Sequence, residues 1–269
     1  IRHCTVHKIK IQMRFNRNKQ IKAKQQKLSS ISEWYQTPLG ELMFSQLKVC
    51  LDPVLATTFG YYSIQIGCVP QSESLFEPCR VKYHFNIEAS GNGFDLKAHS
   101  ALLPIATDSV DLVVLMHHLS ATKEPHAILR EVFRVLIPEG KLIIIDFNPI
   151  SLWGFRHFFQ SWLEIIPWSG HFYTTWRITD WMKLLGFDKQ KRLQVGYMLP
   201  IHHVGLIRKL SWLEKGMKNW LPFSSALNVL VYSKNISPMT PIRHRWVVRK
   251  LLLGKVTRPS AGRGMKYDK

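Results

Sequence analysis

The sequence predicts an α/β fold on a mostly parallel twisted sheet, and three stretches carry that expectation. "VDLVVLMHHL" (110–119) and "KLIIIDFNP" (141–149) are continuous apolar runs, as strands buried on both faces are, rather than alternating ones. Between them, "EPHAILREVFRVLIPEG" sets Ile128, Leu129, Val132, Phe133 and Leu136 on one helical stripe, with Arg130, Glu131 and Arg134 pointing away. Strand, helix and strand in that order make a right-handed βαβ unit.

The other elements follow in chain order. "ISEWYQTPLGELMFSQLKVCLDPVLATTF" (31–59) predicts one or two helices that pack against the sheet edge or cap the active site. "YYSIQIGCVPQS" (61–72) opens as a buried strand and reaches Gly67 where a ligand-holding turn would begin, but no second or third glycine follows. "KYHFNIE" and "FDLKAHS" are joined only by "ASGNG". A parallel crossover takes about a dozen residues or more, so the expectation is an antiparallel hairpin with 82–88 running downward beside an upward 94–99. Pro125 suits the first turn of its helix, and Pro138 and Gly140 are expected to end it. After the strand at 141–149, Leu152, Phe155, Phe159, Trp162, Leu163 and Ile166 fall on a helical stripe, with Trp153 and Trp168 outside it; the stripe is core packing first and a cover for a lipophilic substrate second. "ITDWMKLLGFDKQKRLQVGYML" (178–199) reads as a helix ended by Gly186 and then a strand, "ALNVLVYSK" (226–234) as the final strand, and 200–225 as an insert between them.

The net charge of +19 is a property of the ends. Residues 1–27 hold nine Lys or Arg and no acid, and residues 243–269 hold nine against Asp268 alone, so the body between them is almost neutral. These tails are solvated ends in one reading and weak contacts for RNA or an anionic surface in the other. The expected organisation is a basic tail over 1–27, one domain over 28–235 and a second basic tail over 236–269. Cys4, Cys50, Cys68 and Cys79 form no C-x-x-C pair, so no metal site is expected and free thiols in a reducing cytoplasm are. The N-terminal charge without an apolar stretch predicts no secretory leader, and no apolar run reaches the roughly 18 residues of a spanning helix.

"LPIATDSVDLVVLMHHLSATKEPHAILREVFRVLIPEGKLIIIDFNP" (103–149) resembles the second half of a class I S-adenosylmethionine-dependent methyltransferase of the ubiquinone-biosynthesis type. Leu103-Pro104, Ser109-Val110-Asp111, Leu129-Arg130-Glu131, Val135-Leu136 and Pro138-x-Gly140 carry the resemblance in order and spacing, and 96–149 is the best-matching core. "FNPIS" and the abbreviated first half resemble most a bacterial YafS-like group. The resemblance implies a Rossmann-like sheet of seven strands, the last antiparallel, with S-adenosyl-L-methionine as cofactor and a small-molecule methyl acceptor. It also implies cofactor contacts at Gln65, Gly67 and Cys68 on the first turn, at Glu88 if strand 82–88 runs upward to the ribose, at Ala98 and His99 on the adenine side, and at Met116. Gln65 stands where the family has an acid, Val69 and Gln71 replace glycines, and Pro70 removes a backbone donor. His117 and His118 follow strand four on the lip where methyl and substrate meet, and are the candidates for general base; Asp146 and Asn148 are further lip residues. His202 and His203 in the insert have no spacing that supports a metal. Two functions are thereby expected in competition: a methyltransferase for a small, lipophilic acceptor, and a degenerate methyltransferase-like binding protein that uses its tails.

Overall fold

The computed structural model describes residues 26, 28–68, 75–88, 95–151, 154, 171–197 and 225–235. The chain divides into two units, 1–236 and 237–269, and the second lies outside the described residues. So do nearly all of the N-terminal tail, the aromatic stripe after residue 151, the insert with His202 and His203, and the Val69-Pro70-Gln71 part of the first turn.

A helix over 28–34 (α1) and the helix Pro38–Leu55 (α2) precede the first strand. The strands are β1 Phe59–Gly67, β2 Arg80–Glu88, β3 Leu96–Lys97, β4 Val110–Met116, β5 Leu136–Phe147, β6 Phe187–Val195 and β7 Leu227–Lys234. Helices α3 His118–Ala121, α4 Pro125–Val135 and α5 Thr175–Leu184 complete the described elements. One seven-stranded sheet runs in the order β3-β2-β1-β4-β5-β7-β6, and only β7 is antiparallel to its neighbours. The expected sheet with its antiparallel last strand is therefore present.

The expected hairpin is not. β2 runs parallel to β1 with Ile66 opposite Ile87, and β3 runs parallel to β2. The short link suffices because β3 pairs only at Leu96 and Lys97, opposite Ile87 and Glu88, so the chain has to descend two residues rather than a whole strand. Asp95 fixes the return: its N–H donates to Asn86 O (3.0 Å) and its carboxylate accepts the Asn86 N–H (2.7 Å). From Arg80 to Phe85 the outer edge of β2 has no strand partner among the described residues. Tyr62, Tyr83 and Phe85 line up on one face there, with ring centroids 5.7 and 6.5 Å apart.

The helix before β5 also ends earlier than expected. α4 stops at Val135 and Leu136 already pairs with Val110; the strand then bulges through Pro138–Gly140 and resumes at Lys141 opposite Leu112. Glu131 and Arg134 do not simply face solvent. Glu131 accepts the Leu103 N–H (2.8 Å), and Arg134 donates to Leu103 O, Ile105 O and Glu131, clasping the segment before β4 onto α4.

Two apolar layers hold the sheet. Met43, Leu47, Leu51 and Leu55 of α2 lie fully buried in one layer with Leu112, Val114, Ile143, Ile145, Val229 and Val231, and α2 also packs against the edge strand β6, as expected. Each such side chain contributes about 1.5–3 kcal/mol by leaving water. On the other face Ile128, Leu129 and Val132 of α4 and Ile178 and Met182 of α5 pack on Ile64, Val113, Leu115, Leu142, Ile144 and Leu230.

Candidate functional site

Parallel β1, β2, β3 and β4 end at one rim, which is where an open α/β sheet takes its ligand. The register continues across it: Gly67 pairs with Met116 on one side, Ile66 and Ile87 pair on the other, and Glu88 pairs with Lys97. Gly67, Glu88 and Met116 thus finish three neighbouring strands, with Ala98 and His99 following the fourth. Ala98 and His99 are half-buried, and His99 turns the chain back by accepting the Leu102 N–H at 2.8 Å.

Gly67 is required by its backbone. Its φ is +112°, and a Cβ there would meet Met116 O at 2.3 Å and His118 Cβ at 3.0 Å. His118 is fully buried against that turn. Gln65 turns inward as well: its Nε2 donates to Cys68 O (2.8 Å), while the Cys68 N–H donates to Met116 O (3.0 Å). The described part of the turn is therefore braced by its own side chain and by β4.

Beyond β4 the chain reverses through His117, a non-glycine residue at φ +52°, whose N–H donates to Ile145 O (2.9 Å) and whose carbonyl accepts from Ser120 Oγ (3.0 Å). Strain of this kind is kept where the surroundings over-determine it, commonly at functional sites. The His117 ring is fully buried between Tyr35 and Asp146. Tyr35 Oη lies 2.8 Å from Nε2, and Asp146 Oδ1 lies 3.7 Å from Nδ1. Burial, and after it the nearby Cys68 and Asp146, hold the Tyr35 phenol well above its usual pKa, so it is neutral and donates to Nε2. A donating phenol pairs with the imidazole tautomer whose Nε2 accepts. Asp146 Oδ1 accepts the Phe147 N–H (3.0 Å); among the described residues Asp146 Oδ2 and His117 Nδ1 make no hydrogen bond.

Aromatic rings enclose the group. Phe147 stacks on His117 at 4.3 Å, Phe172 on Phe147 at 5.5 Å, and Trp34 meets Tyr35 and Phe147 edge-on at 4.9 and 6.0 Å. Trp34 and Tyr35 come from the α1–α2 turn. Thr37 pins that turn by donating to Trp34 O (2.7 Å) and capping α2 at the Gly40 N–H (3.2 Å). Gly40 lets it close, since a Cβ there would meet Trp34 O at 2.2 Å.

Of the residues singled out from the sequence, Gln65, Gly67, Cys68, Ala98, His99, Met116, His117 and His118 converge on this rim, and Glu88 joins them because β2 runs upward. Asp146 faces His117, whereas Asn148 is occupied in the β5–β7 junction through Ala226 O and Ser225 O. Sequence reasoning missed Tyr35, Trp34, Phe147 and Phe172. The signal for Trp34 and Tyr35 was an aromatic pair beside the Thr37-Pro38 helix start. Among the described residues no His, Cys, Asp and Glu cluster suits a metal, and no helix is long and apolar enough to cross a membrane.

Comparison with known proteins agrees with the geometry. Residues 65–144 match the family described as "Methyltransferase domain". The chain is 31% identical over 210 residues to the uncharacterized protein YafS of Escherichia coli, covering 77% of this chain and 82% of that protein. Solved structures of S-adenosylmethionine-dependent methyltransferases from Thermotoga maritima (TM-score 0.57, 16% identity, 76% of this chain and 94% of that one) and Archaeoglobus fulgidus (0.50, 13%, 70% and 93%) share the fold.

Proposed function

The chain belongs to the YafS-like group of class I S-adenosylmethionine-dependent methyltransferases, and from that membership we propose that it methylates a small molecule whose accepting atom first gives up a proton to the Tyr35–His117–Asp146 group. The buried phenol-to-imidazole hydrogen bond at the ends of β4 and β5 is the observation that carries this reading. The family's cofactor is S-adenosyl-L-methionine, which supplies an activated methyl group when bound.

The rim fits that cofactor. Glu88 ends β2 one residue past Ile87, which pairs with Ile66, so its backbone position is the one from which the family's acid would hold the ribose hydroxyls, and no phosphate requires a cradle of glycines. Gly67 and Cys68, braced by Gln65, would form its floor, Ala98 and His99 would take the adenine side, and Met116 would border the lip. His118 supports the Gly67 turn, leaving His117 as the base.

The proton route uses groups of this chain alone. The acceptor's proton passes to the Tyr35 oxygen as the phenol's own proton moves to His117 Nε2, and the imidazolium so formed faces the Asp146 carboxylate. The surrounding rings keep water from the proton and from the reacting atom.

Calorimetric titration with S-adenosylhomocysteine tests the reading. Micromolar binding that weakens about tenfold or more in Glu88→Ala is expected, that factor corresponding to about 1.4 kcal/mol. No heat at millimolar ligand would remove the methyltransferase reading.

A further inference from the structure

β2 is the strand whose outer edge the short β3 leaves open, and the alternation of its side chains says what that edge accepts. Side chains change face at each residue of a strand, so Arg80, Lys82 and His84 stand on one face and Val81, Tyr83 and Phe85 on the other. Over these residues β2 pairs with β1 on one side and has no strand on the other among the described residues; β3 joins only at Ile87 and Glu88. The open stretch is about 20 Å long at the usual rise of a strand.

Both faces meet solvent there. Tyr83 and Phe85 are 44 and 40% exposed, and Tyr62 of β1 stacks with both. Arg80 and Lys82 are exposed and make no ion pair among the described residues. His84 is already engaged, with Nδ1 2.5 Å from Ser63 Oγ and its ring stacked on Phe76 at 4.9 Å. The edge thus presents two free cations on one face and an aromatic row on the other.

A bare edge offers backbone donors and acceptors to any extended chain, so the side chains decide which chain is taken. An added strand sets its own alternating residues beside Arg80 and Lys82 on one face and beside Tyr83 and Phe85 on the other. A second copy of β2, pairing antiparallel, would put its own Arg80 and Lys82 on the cationic face and be repelled. We propose that the open edge of β2 takes a strand from a partner protein, an extended segment in which acidic residues alternate with apolar ones. Its carboxylates face Arg80 and Lys82, and its apolar side chains prolong the row of Tyr62, Tyr83 and Phe85. Such a strand lies end to end with β3 and completes, from another chain, the strand that this one cuts to two residues. Nothing in this inference depends on the methyltransferase reading.

The test uses the full chain and three peptides: acetyl-EVEVEV-amide, acetyl-KVKVKV-amide, and the acidic peptide N-methylated at every residue, which keeps its charge but has no backbone donor. Calorimetry reads affinity and amide hydrogen exchange reads place. The acidic peptide is expected to bind about tenfold or more tightly than the basic one, the scale of a few exposed charge pairs, and to slow exchange within residues 80–85. N-methylation should abolish that protection. In the Arg80→Gln, Lys82→Gln double variant, about tenfold more acidic peptide should be needed to produce it. Equal affinity for the acidic and basic peptides overturns the proposal. Acidic binding that survives N-methylation, or that leaves exchange at residues 80–85 unchanged, assigns the attraction to the basic ends at 1–27 and 243–269 and overturns it too. These outcomes are read on the unaltered chain, so the proposal stays refutable if the double variant misfolds.

Discussion

Tyr35→Phe isolates one hydrogen bond in the site. The ring stays, with its edge contacts to Trp34 (4.9 Å) and Phe44 (5.8 Å), so no cavity opens. The loss is the hydroxyl that serves His117 Nε2 at 2.8 Å, inside a side chain with no exposure. A buried acceptor left without its donor costs about 1–3 kcal/mol, and urea denaturation at pH 7 should show that deficit. The alkaline limb then separates this account from mere loss of packing. Burial holds the Tyr35 phenol well above the usual tyrosine pKa, so the folded state keeps a proton that the unfolded chain releases. Its contribution is fully present below about pH 10 and is lost as pH rises toward the folded pKa, at about 1.4 kcal/mol per pH unit. Phenylalanine has no such proton. The variant's deficit should therefore shrink above pH 10 and approach zero between about pH 11 and 12. Tyr173, Tyr197 and Tyr232 are also raised by burial but remain in both proteins, and so cancel. A deficit below about 0.5 kcal/mol at pH 7, or one of equal size at pH 7 and pH 11, refutes the neutral-donor assignment.

Gly67→Ala should lower stability by about 2 kcal/mol or more, because φ +112° and the 2.3 Å approach to Met116 O both oppose a Cβ, and thermal melting reads it directly. Arg134→Met should speed amide exchange at Leu103, whose N–H is held by Glu131 and whose carbonyl by Arg134. Arg134 keeps the Glu131 carboxyl below its ordinary value, so the stability lost in that variant should be largest at neutral pH and narrow as pH falls through the folded Glu131 pKa. Lys234→Met removes the bonds to Leu136 O (2.7 Å) and Asp108 Oδ1 (2.5 Å) and should destabilise by about 1–3 kcal/mol in urea melts, with S-adenosylhomocysteine affinity unchanged.

The central βαβ unit was legible because β4 and β5 are buried on both faces and so cannot hide their apolar runs, and because α4 presents one unbroken stripe. The direction of β2 was not. Link length forbids a full crossover, but it cannot reveal that β3 would be two residues long, a choice made by Asp95 bonding back to Asn86. Half of the candidate site was legible for a related reason. Gly67, Glu88, His99 and His117 sit at strand ends, whose positions follow from the strands. Tyr35 reaches His117 across 82 residues of sequence, and no local periodicity marks such a contact. The clasp made by Glu131 and Arg134 was not legible because a charged side chain on the polar face of a helix is indistinguishable, in sequence, from one that holds a neighbouring loop.

Shortening β3 to Leu96–Lys97 transfers a burden to β2. A strand with no neighbour over six residues among the described ones, and carrying exposed Tyr83 and Phe85, is a template on which other chains can zip. Arg80 and Lys82 are exposed on that same strand, and the Lys82 ammonium rests 5.2 Å from the Tyr83 ring. Two copies approaching margin to margin bring like charges together before any ladder can form. Charges placed on such a strand oppose edge-to-edge pairing, so neutralising Arg80 and Lys82 should raise the chain's tendency to self-associate.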